Sequence, residues 1–341
     1  MNFVFEGHAQ NRGRKGSGCA SISYVKTPWR PVIASAILIG LAPAQVKITQ
    51  QNTIVHVEID GKPFGDFYTG SDLPKPYFAP LRSASGKIVT RQWPMTPDSA
   101  ESHDHQHHRG MWLGYIDING VNFWENEFSY HRANAGKIVA SKIEITRATG
   151  TTGSIRGTFD WLDPTGKKLL SDTRTLTFYS HPSLRTIDFD ATLTAAVRIV
   201  FADDKDGAFA VRMADPLTEK TGTGVITNSS GGRTMKEVWG KPADWVDYSG
   251  ILDGEAVGIA IMDHPTSFHH PARWHARDYG LFAVNPFASH AYDPSAPVSA
   301  VTLEPGAEPG QNLHLRYRVV IHPKLDAGAI EQMYKAWAAE K

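Results

Sequence analysis

This sequence has almost no cysteine, a single Cys19 in 341 residues. A disulfide framework and a CxxC-type zinc or redox motif are therefore both excluded. Charge of one sign is also missing, because 35 basic residues balance 35 acidic ones. A chain with no basic excess is a poor electrostatic match for nucleic acid. Long apolar runs are scarce. The most apolar run, Val32 to Leu41 within PVIASAILIGLAPAQ, is too short for a comfortable membrane span. There is no glycine-rich phosphate loop, nucleophile elbow or dinucleotide fingerprint, which removes the motif-borne nucleotide and serine-hydrolase classes.

The flanks of that apolar run give it a meaning. Arg12, Arg14, Lys15, Lys26 and Arg30 precede it against one acid, Glu6, and Ala42-Pro43-Ala44 comes after it. A basic flank, a short apolar core and a small-x-small site make a secretory signal over 1–44. The competing reading is an anchor that stays attached. The long basic region points to a start codon downstream of Met1. Cleavage after Ala44 removes Cys19, which follows no lipobox-like triplet, and leaves a mildly acidic chain free of thiols. The expectation is a periplasmic or secreted protein with no stable membrane insertion, in which 45–341 form a single β-sandwich domain. A chain of about 300 residues can bury the core this needs.

Strand patterns dominate the rest of the chain. TIVHVEIDGKPFGDFY alternates around Asp60-Gly61, and MWLGYIDINGVNFWE turns at Asn119-Gly120; both are hairpin signals. KIVASKIEI, GSIRGTFDWL, LLSDTRTLTFY and RTIDFDATLTA are longer alternating segments, and NLHLRYRVVIH is one more strand. Only DAGAIEQMYKAWAAEK has helical spacing, with Ile330, Met333, Tyr334 and Trp337 on one stripe. The predicted fold is all-β, a large antiparallel supersandwich with a C-terminal helix.

The chemistry concentrates in histidine. His103, His105, His107 and His108 crowd into ESHDHQHHRGMWLG, ahead of Arg109 and Trp112. His264, His269, His270 and His275 recur in MDHPTSFHHPARWHARDYGLFAVNPF among Arg273, Trp274, Arg277 and Asp278. Tryptophan, arginine and histidine together suit a sugar: rings cover the apolar face of a pyranose, guanidinium grips hydroxyls or a carboxylate, and imidazole moves protons near neutral pH. If the first stretch is extended, His103, His105, His107 and Arg109 share a face, and H-x-H in a strand is a workable metal pair. His275, His269 or Glu304 would have to complete it. Arg109 on that face argues against a cation and for a substrate anion. The acid–base site, the metal site and a merely structural role remain open. His264-Pro265 and His270-Pro271 resemble turn positions. Arg212, in the apolar strand FAVRMAD, must be paired or face a ligand. Trp239 and Trp245 could line a sugar groove.

Several segments resemble a bacterial family of exported proteins labelled "PmoA family". They are KPYFAPLRSASGKIVTRQWPM, HDHQHHRGMWLGYIDINGVNFW, DGAFAVRMA and GIAIMDHPTSFHHPARWHARDYGLFAVNPF. The resemblance implies a part in bacterial sugar degradation. The label itself names a multi-span helical oxygenase subunit, which a strand-rich chain with no later span does not match. The end of the chain, VSAVTLEPGAEPGQNLHLRYRVVIH, is similar to the last strands of galactose mutarotase-like proteins, which implies a supersandwich with an open sugar groove. The usual mutarotase catalytic motifs are absent.

The combined expectation is an exported carbohydrate-active protein, an enzyme of lyase, epimerase or hydrolase type. His105, His107, His108 and His275 would be catalytic, and Arg109, Trp112, Arg212, Trp274 and Arg277 would bind substrate, with no cofactor. One alternative is a metal-dependent enzyme holding copper, zinc or iron through His103, His105 and His107. Another is a sugar-binding protein without turnover. Elemental mass spectrometry on tag-free protein from Gln45 onward separates the metal case. No transition metal should be retained after incubation with copper, zinc and iron. About one equivalent, lost when His105 and His107 are replaced, would reverse the ranking.

Overall fold

The computed structural model describes residues 45–306 and 312–340, so the expected signal at 1–44 lies outside the described residues. Alternation decides most of what forms. In Thr152–Leu162, Lys168–Ser180 and Arg185–Ala195 buried residues largely alternate with more exposed ones, as in strands with one face on a core. These three belong to an eight-stranded sheet that continues through Leu313–Pro323, Glu255–Asp263, Trp245–Leu252 and Val225–Asn228 on one side and Lys137–Arg147 on the other. A nine-stranded sheet faces it. Its order is Arg273–Ala276, Leu281–Asn285, Gly207–Arg212, Met111–Tyr115, Tyr77–Ala79, Lys62–Tyr68, Ile54–Ile59, Val46–Gln51 and Thr149–Gly150. Neighbouring strands pair antiparallel, and a short ribbon of Ile199–Phe201 with Val301–Leu303 is added. The fold is the expected all-β antiparallel supersandwich.

Local chemistry sets the turns. Asp60 and Gly61 have φ of 55° and 72°, and Asn119 and Gly120 have 54° and 81°, the left-handed pairs that tight hairpins require. Between the sheets, aromatic rings interlock. Phe78 lies 5.5 Å from Phe178, Phe67 5.9 Å from Phe159, and Phe209 4.5 Å from Phe189, centroid to centroid. One ion pair is buried in this layer: Arg174 donates to both oxygens of Asp172 at 2.7 and 2.6 Å, and Trp161 Nε1 donates to the same carboxylate at 2.7 Å. The helix Ala327–Ala338 starts where Asp326 caps the Ala329 amide at 2.8 Å. Ile330, Tyr334 and Trp337 pack onto Trp245, Ala260, Met262 and Val320, so the helix closes the outer face of the eight-stranded sheet.

The outer face of the nine-stranded sheet is closed differently. Met111–Tyr115, Gly207–Arg212 and Leu281–Asn285 are buried at every position, so both faces of the sheet are covered there. Register pairs Trp112 with Ala210, Ala210 with Ala283, and Ala283 with His275. These four residues make one cross-strand row, large side chains at its ends and two methyl groups in the middle. Tyr77, Trp124 and Leu281 pack with its first three members. Trp112 and His275, far apart in sequence, thus stand on the same face of one sheet.

Asp172 is the residue whose loss the sandwich should feel most. Asp172→Ala leaves the Arg174 guanidinium buried without its partner, and such a break costs about 3–5 kcal/mol. A calorimetric melt should show a loss of that order, and a change under about 1 kcal/mol would mean that water reaches Arg174.

Candidate functional site

The stretch from Glu101 to Gly110 is not a strand. It is an irregular loop, and only Met111–Tyr115 pairs into the sheet. The cause is a buried cation. Arg91 is 0% exposed. Its Nη1 donates to the carbonyls of Ser102 and Asp104 and to Asp104 Oδ1, and its Nη2 to the carbonyls of His105 and His108. Wrapping four carbonyls around one guanidinium curls the chain, and His105 takes a left-handed φ of 42°. Arg212, also 0% exposed, reaches across from the sheet to Asp104 Oδ1 at 2.8 Å and Ser102 Oγ at 3.2 Å. Burial alone would raise the Asp104 pKa, but the hydrogen bond from His105 and the charges of Arg212 and Arg91 hold it well below the carboxylate range.

This curl replaces the common face expected for His103, His105 and His107. His103 turns away, stacks on Trp93 at 5.0 Å and bonds the Ser99 carbonyl through Nε2. His105 lies flat between His108 and Tyr279, at 4.9 and 4.8 Å. His107 meets the Tyr130 hydroxyl through Nδ1 at 3.1 Å. His108 stacks on Trp112 at 5.1 Å. The proposed metal set is therefore not assembled, and no group of three or more His, Cys, Asp or Glu among the described residues is placed to hold an ion.

The two histidine clusters nevertheless meet. A cavity of 330 Å³ is lined by His105, His107 and His108 on one side and by His275, Arg277 and Tyr279 on the other. Trp124, Glu125, Lys205 and Asp206 complete it. A cavity of 380 Å³ between Asn126–Lys137 and the turn near Pro164 holds none of the predicted residues.

Burial keeps three imidazoles of the cavity, His107, His108 and His275, neutral. It lowers His107 to about 2, with help from the Lys75 charge, and pushes His108 well below its usual value, helped by His107 and Arg212. His275 falls to about 4 because burial outweighs the attraction of Asp206. Their tautomers can be assigned from their partners. Arg212 Nη1 faces His108 Nδ1 at 3.3 Å. A guanidinium only donates, so Nδ1 accepts and the His108 proton sits on Nε2. His275 Nδ1 faces the Lys205 carbonyl at 3.0 Å. A carbonyl only accepts, so the His275 proton sits on Nδ1 and Nε2 carries a lone pair. Neither Nε2 has a hydrogen-bond partner among the described residues. The cavity therefore combines a neutral N–H donor with a neutral nitrogen acceptor.

Four of the five predicted substrate contacts are off the cavity wall, and only Arg277 is on it. Arg109 is spent on Glu127, donating to both oxygens at 2.9 and 2.6 Å, and covers the Tyr77 ring. Trp274 is 0% exposed in the sandwich core, its Nε1 bonded to the Ala243 carbonyl. Trp112 supports His108 from below and is absent from the cavity wall. Arg212 acts from behind the loop. Of the second cluster, His264 packs on Trp337, His269 on Phe268, and His270 bonds Asp263. Trp245 bonds Glu331, while Trp239 approaches His275 edge-on at 6.4 Å. Glu304 pairs with Arg198 on the surface. Sequence reasoning passed over Arg91, Trp124, Asp206 and Tyr279, although each stands within or beside one of the distinctive segments.

The sequence profile of a family of unknown function, DUF6807, matches residues 54–335. The chain belongs to this family. That description says nothing of the PmoA label. No curated protein matches the chain. Among solved structures it is similar to the α-galactosidase AgaA of Geobacillus stearothermophilus, at 10% identity and a TM-score of 0.42, over 82% of this chain and 40% of that one. The galactosidase domain of AgaSK gives 9% and 0.42, over 81% and 42%. A galactose mutarotase related enzyme of Lactobacillus acidophilus gives 10% and 0.36, over 82% and 98%. The chain thus spans well under half the length of those galactosidase chains, and likenesses this remote speak for no ligand or reaction.

Three neutral buried imidazoles tie stability to pH. Each has a folded pKa below its unfolded value of about 6.5, so its contribution is present above that value and declines as pH falls towards the folded pKa. For His275 the full shift corresponds to about 3 kcal/mol. The melting temperature should fall between about pH 7 and pH 5, and His275→Gln should flatten that slope. An unchanged slope in the variant would show that burial does not lower the His275 pKa in the folded protein.

Proposed function

We propose that this family member is an exported, carbohydrate-active enzyme that acts on a sugar or uronate by histidine acid–base chemistry. The observation that carries the reading is the pairing of opposite tautomers in one cavity, His108 with a free N–H and His275 with a free lone pair. Proton removal next to a carbonyl needs both. The proton leaves carbon for His275 Nε2, and the bonding electrons move onto the carbonyl oxygen, which accepts from His108 Nε2–H. A neutral donor suits this task because the N–H of uncharged imidazole is a very weak acid, so it can stabilise the oxyanion by hydrogen bonding without surrendering its proton. His107, held by Tyr130, and His105, stacked on Tyr279, shape the same wall. Trp124 and Tyr279 supply apolar surface for a ring. Loss of the oxygen substituent on the next carbon, which takes up a proton as the carbonyl reforms, would complete a lyase reaction; return of a proton from water to the other face of the carbon would complete an epimerisation; and in hydrolysis of an oxidised sugar His275 Nε2 would take the proton of an attacking water. Export to the periplasm or beyond fits a protein that meets extracellular sugars.

Turnover should be screened on reducing sugars, uronates and their glycosides, with His275→Ala and His108→Ala beside the parent. Each variant should lose about 10²- to 10⁴-fold in kcat while keeping its circular dichroism spectrum. Binding without turnover in the parent would make the protein a sugar-binding module instead.

A further inference from the structure

The charges that line the cavity pair off, with one exception. Lys205 Nζ meets Asp206 Oδ2 at 2.7 Å. Glu125 is taken by Arg132. Asp104, behind the histidine loop, is shared by Arg91, Arg212 and His105. Arg277 has no such partner. Among the described residues its guanidinium makes no hydrogen bond or ion pair, and its Nε is buried without an acceptor. It leans on the Tyr279 ring, 5.5 Å from the centroid, while Arg212 stands 4.8 Å from the same ring. A half-buried cation beside a second cation, with both carboxylates of the cavity wall, Glu125 and Asp206, engaged elsewhere, is poorly compensated. A ligand anion in the cavity would compensate it.

We infer that Arg277 is a carboxylate-binding residue and that the cavity selects a sugar acid over the corresponding neutral sugar. This rests on the carbohydrate reading above and narrows it. A planar guanidinium matches a planar carboxylate through two parallel hydrogen bonds. A phosphate would be expected to gather several donors, such as a helix N-terminus or a glycine-rich loop, and no such element lines this cavity. At 330 Å³ the space is at the small end of ligand pockets, roughly 300–1,000 Å³, which fits one sugar residue.

Isothermal titration calorimetry on the protein from Gln45 onward tests this. The ligands are glucuronate, galacturonate and mannuronate, each beside its neutral hexose and its methyl ester, with glucose 6-phosphate as a different anion. At least one uronate should bind about 10- to 100-fold more tightly than its hexose and its ester, as loss of a charge-assisted hydrogen bond implies. Arg277→Ala should erase that difference and Arg277→Lys should restore part of it. Equal affinity for acid and hexose, a preference for the phosphate, or a preference that survives Arg277→Ala would overturn the inference and leave the sugar reading standing. No binding by any of these sugars would count against both. A second readout needs no ligand. Beyond its contact with the Tyr279 ring, an unpartnered cation adds little to the empty fold, so Arg277→Met should melt near or above the parent temperature. A drop of several degrees would reveal an internal partner and remove the anchor role.

Discussion

The guanidinium of Arg91 is the contact on which the candidate site depends. The loop from Ser102 to His108 has no ladder partner, yet it must hold its shape against the sheet. Arg91 supplies what a neighbouring strand would otherwise give, a fixed set of donors for four carbonyls. The dependence is mutual. A fully buried guanidinium needs its donors met, so the cation is tolerated only while the loop is curled around it. Arg212 ties the same loop to the sheet through Asp104 and, by donating to His108, also fixes which nitrogen of that ring carries the proton. One polar network thus decides loop shape and chemical state together.

The second half of the site arrives by topology. His275 sits on an edge strand, three pairings away from Trp112, and register alone brings it onto the same row. No segment of the chain links the two clusters directly. The sheet does so by placing the end of the chain's long central excursion beside its beginning. The opposite outer face is closed by the C-terminal helix, so the two exposed sides of the sandwich have different work: one seals the core, and the other carries the histidines.

How much of this was legible depended on range. Period and turn chemistry are local, so the Asp60-Gly61 and Asn119-Gly120 hairpins and the stripe Ile330, Tyr334, Trp337 could be read directly. Arg212 was recognisable as a paired or ligand-facing residue, because a charge within FAVRMAD has no other stable state. Its partner, Asp104, was beyond reach, since the contact spans 108 residues. The same limit explains the errors. The alternation assumed for His103, His105 and His107 ignored Arg91, and the substrate roles given to Arg109 and Trp274 ignored Glu127 and the Ala243 carbonyl. A tryptophan or arginine beside histidine carries a chemical type in sequence but not an orientation. Tyr279 and Asp206 were missed for the opposite reason: neither is unusual until the fold places it in the cavity.

The row Trp112, Ala210, Ala283, His275 also bears on how such a site could diverge. Its two central members contribute one methyl group each and no polar atom, and Trp124 rests among them. Adding carbon at either alanine would raise the indole and the imidazoles that meet it edge-on, without adding or removing a charge. The depth of the cavity is therefore adjustable separately from its chemistry, and relatives could come to accept ligands of different size through changes at positions that look like ordinary core.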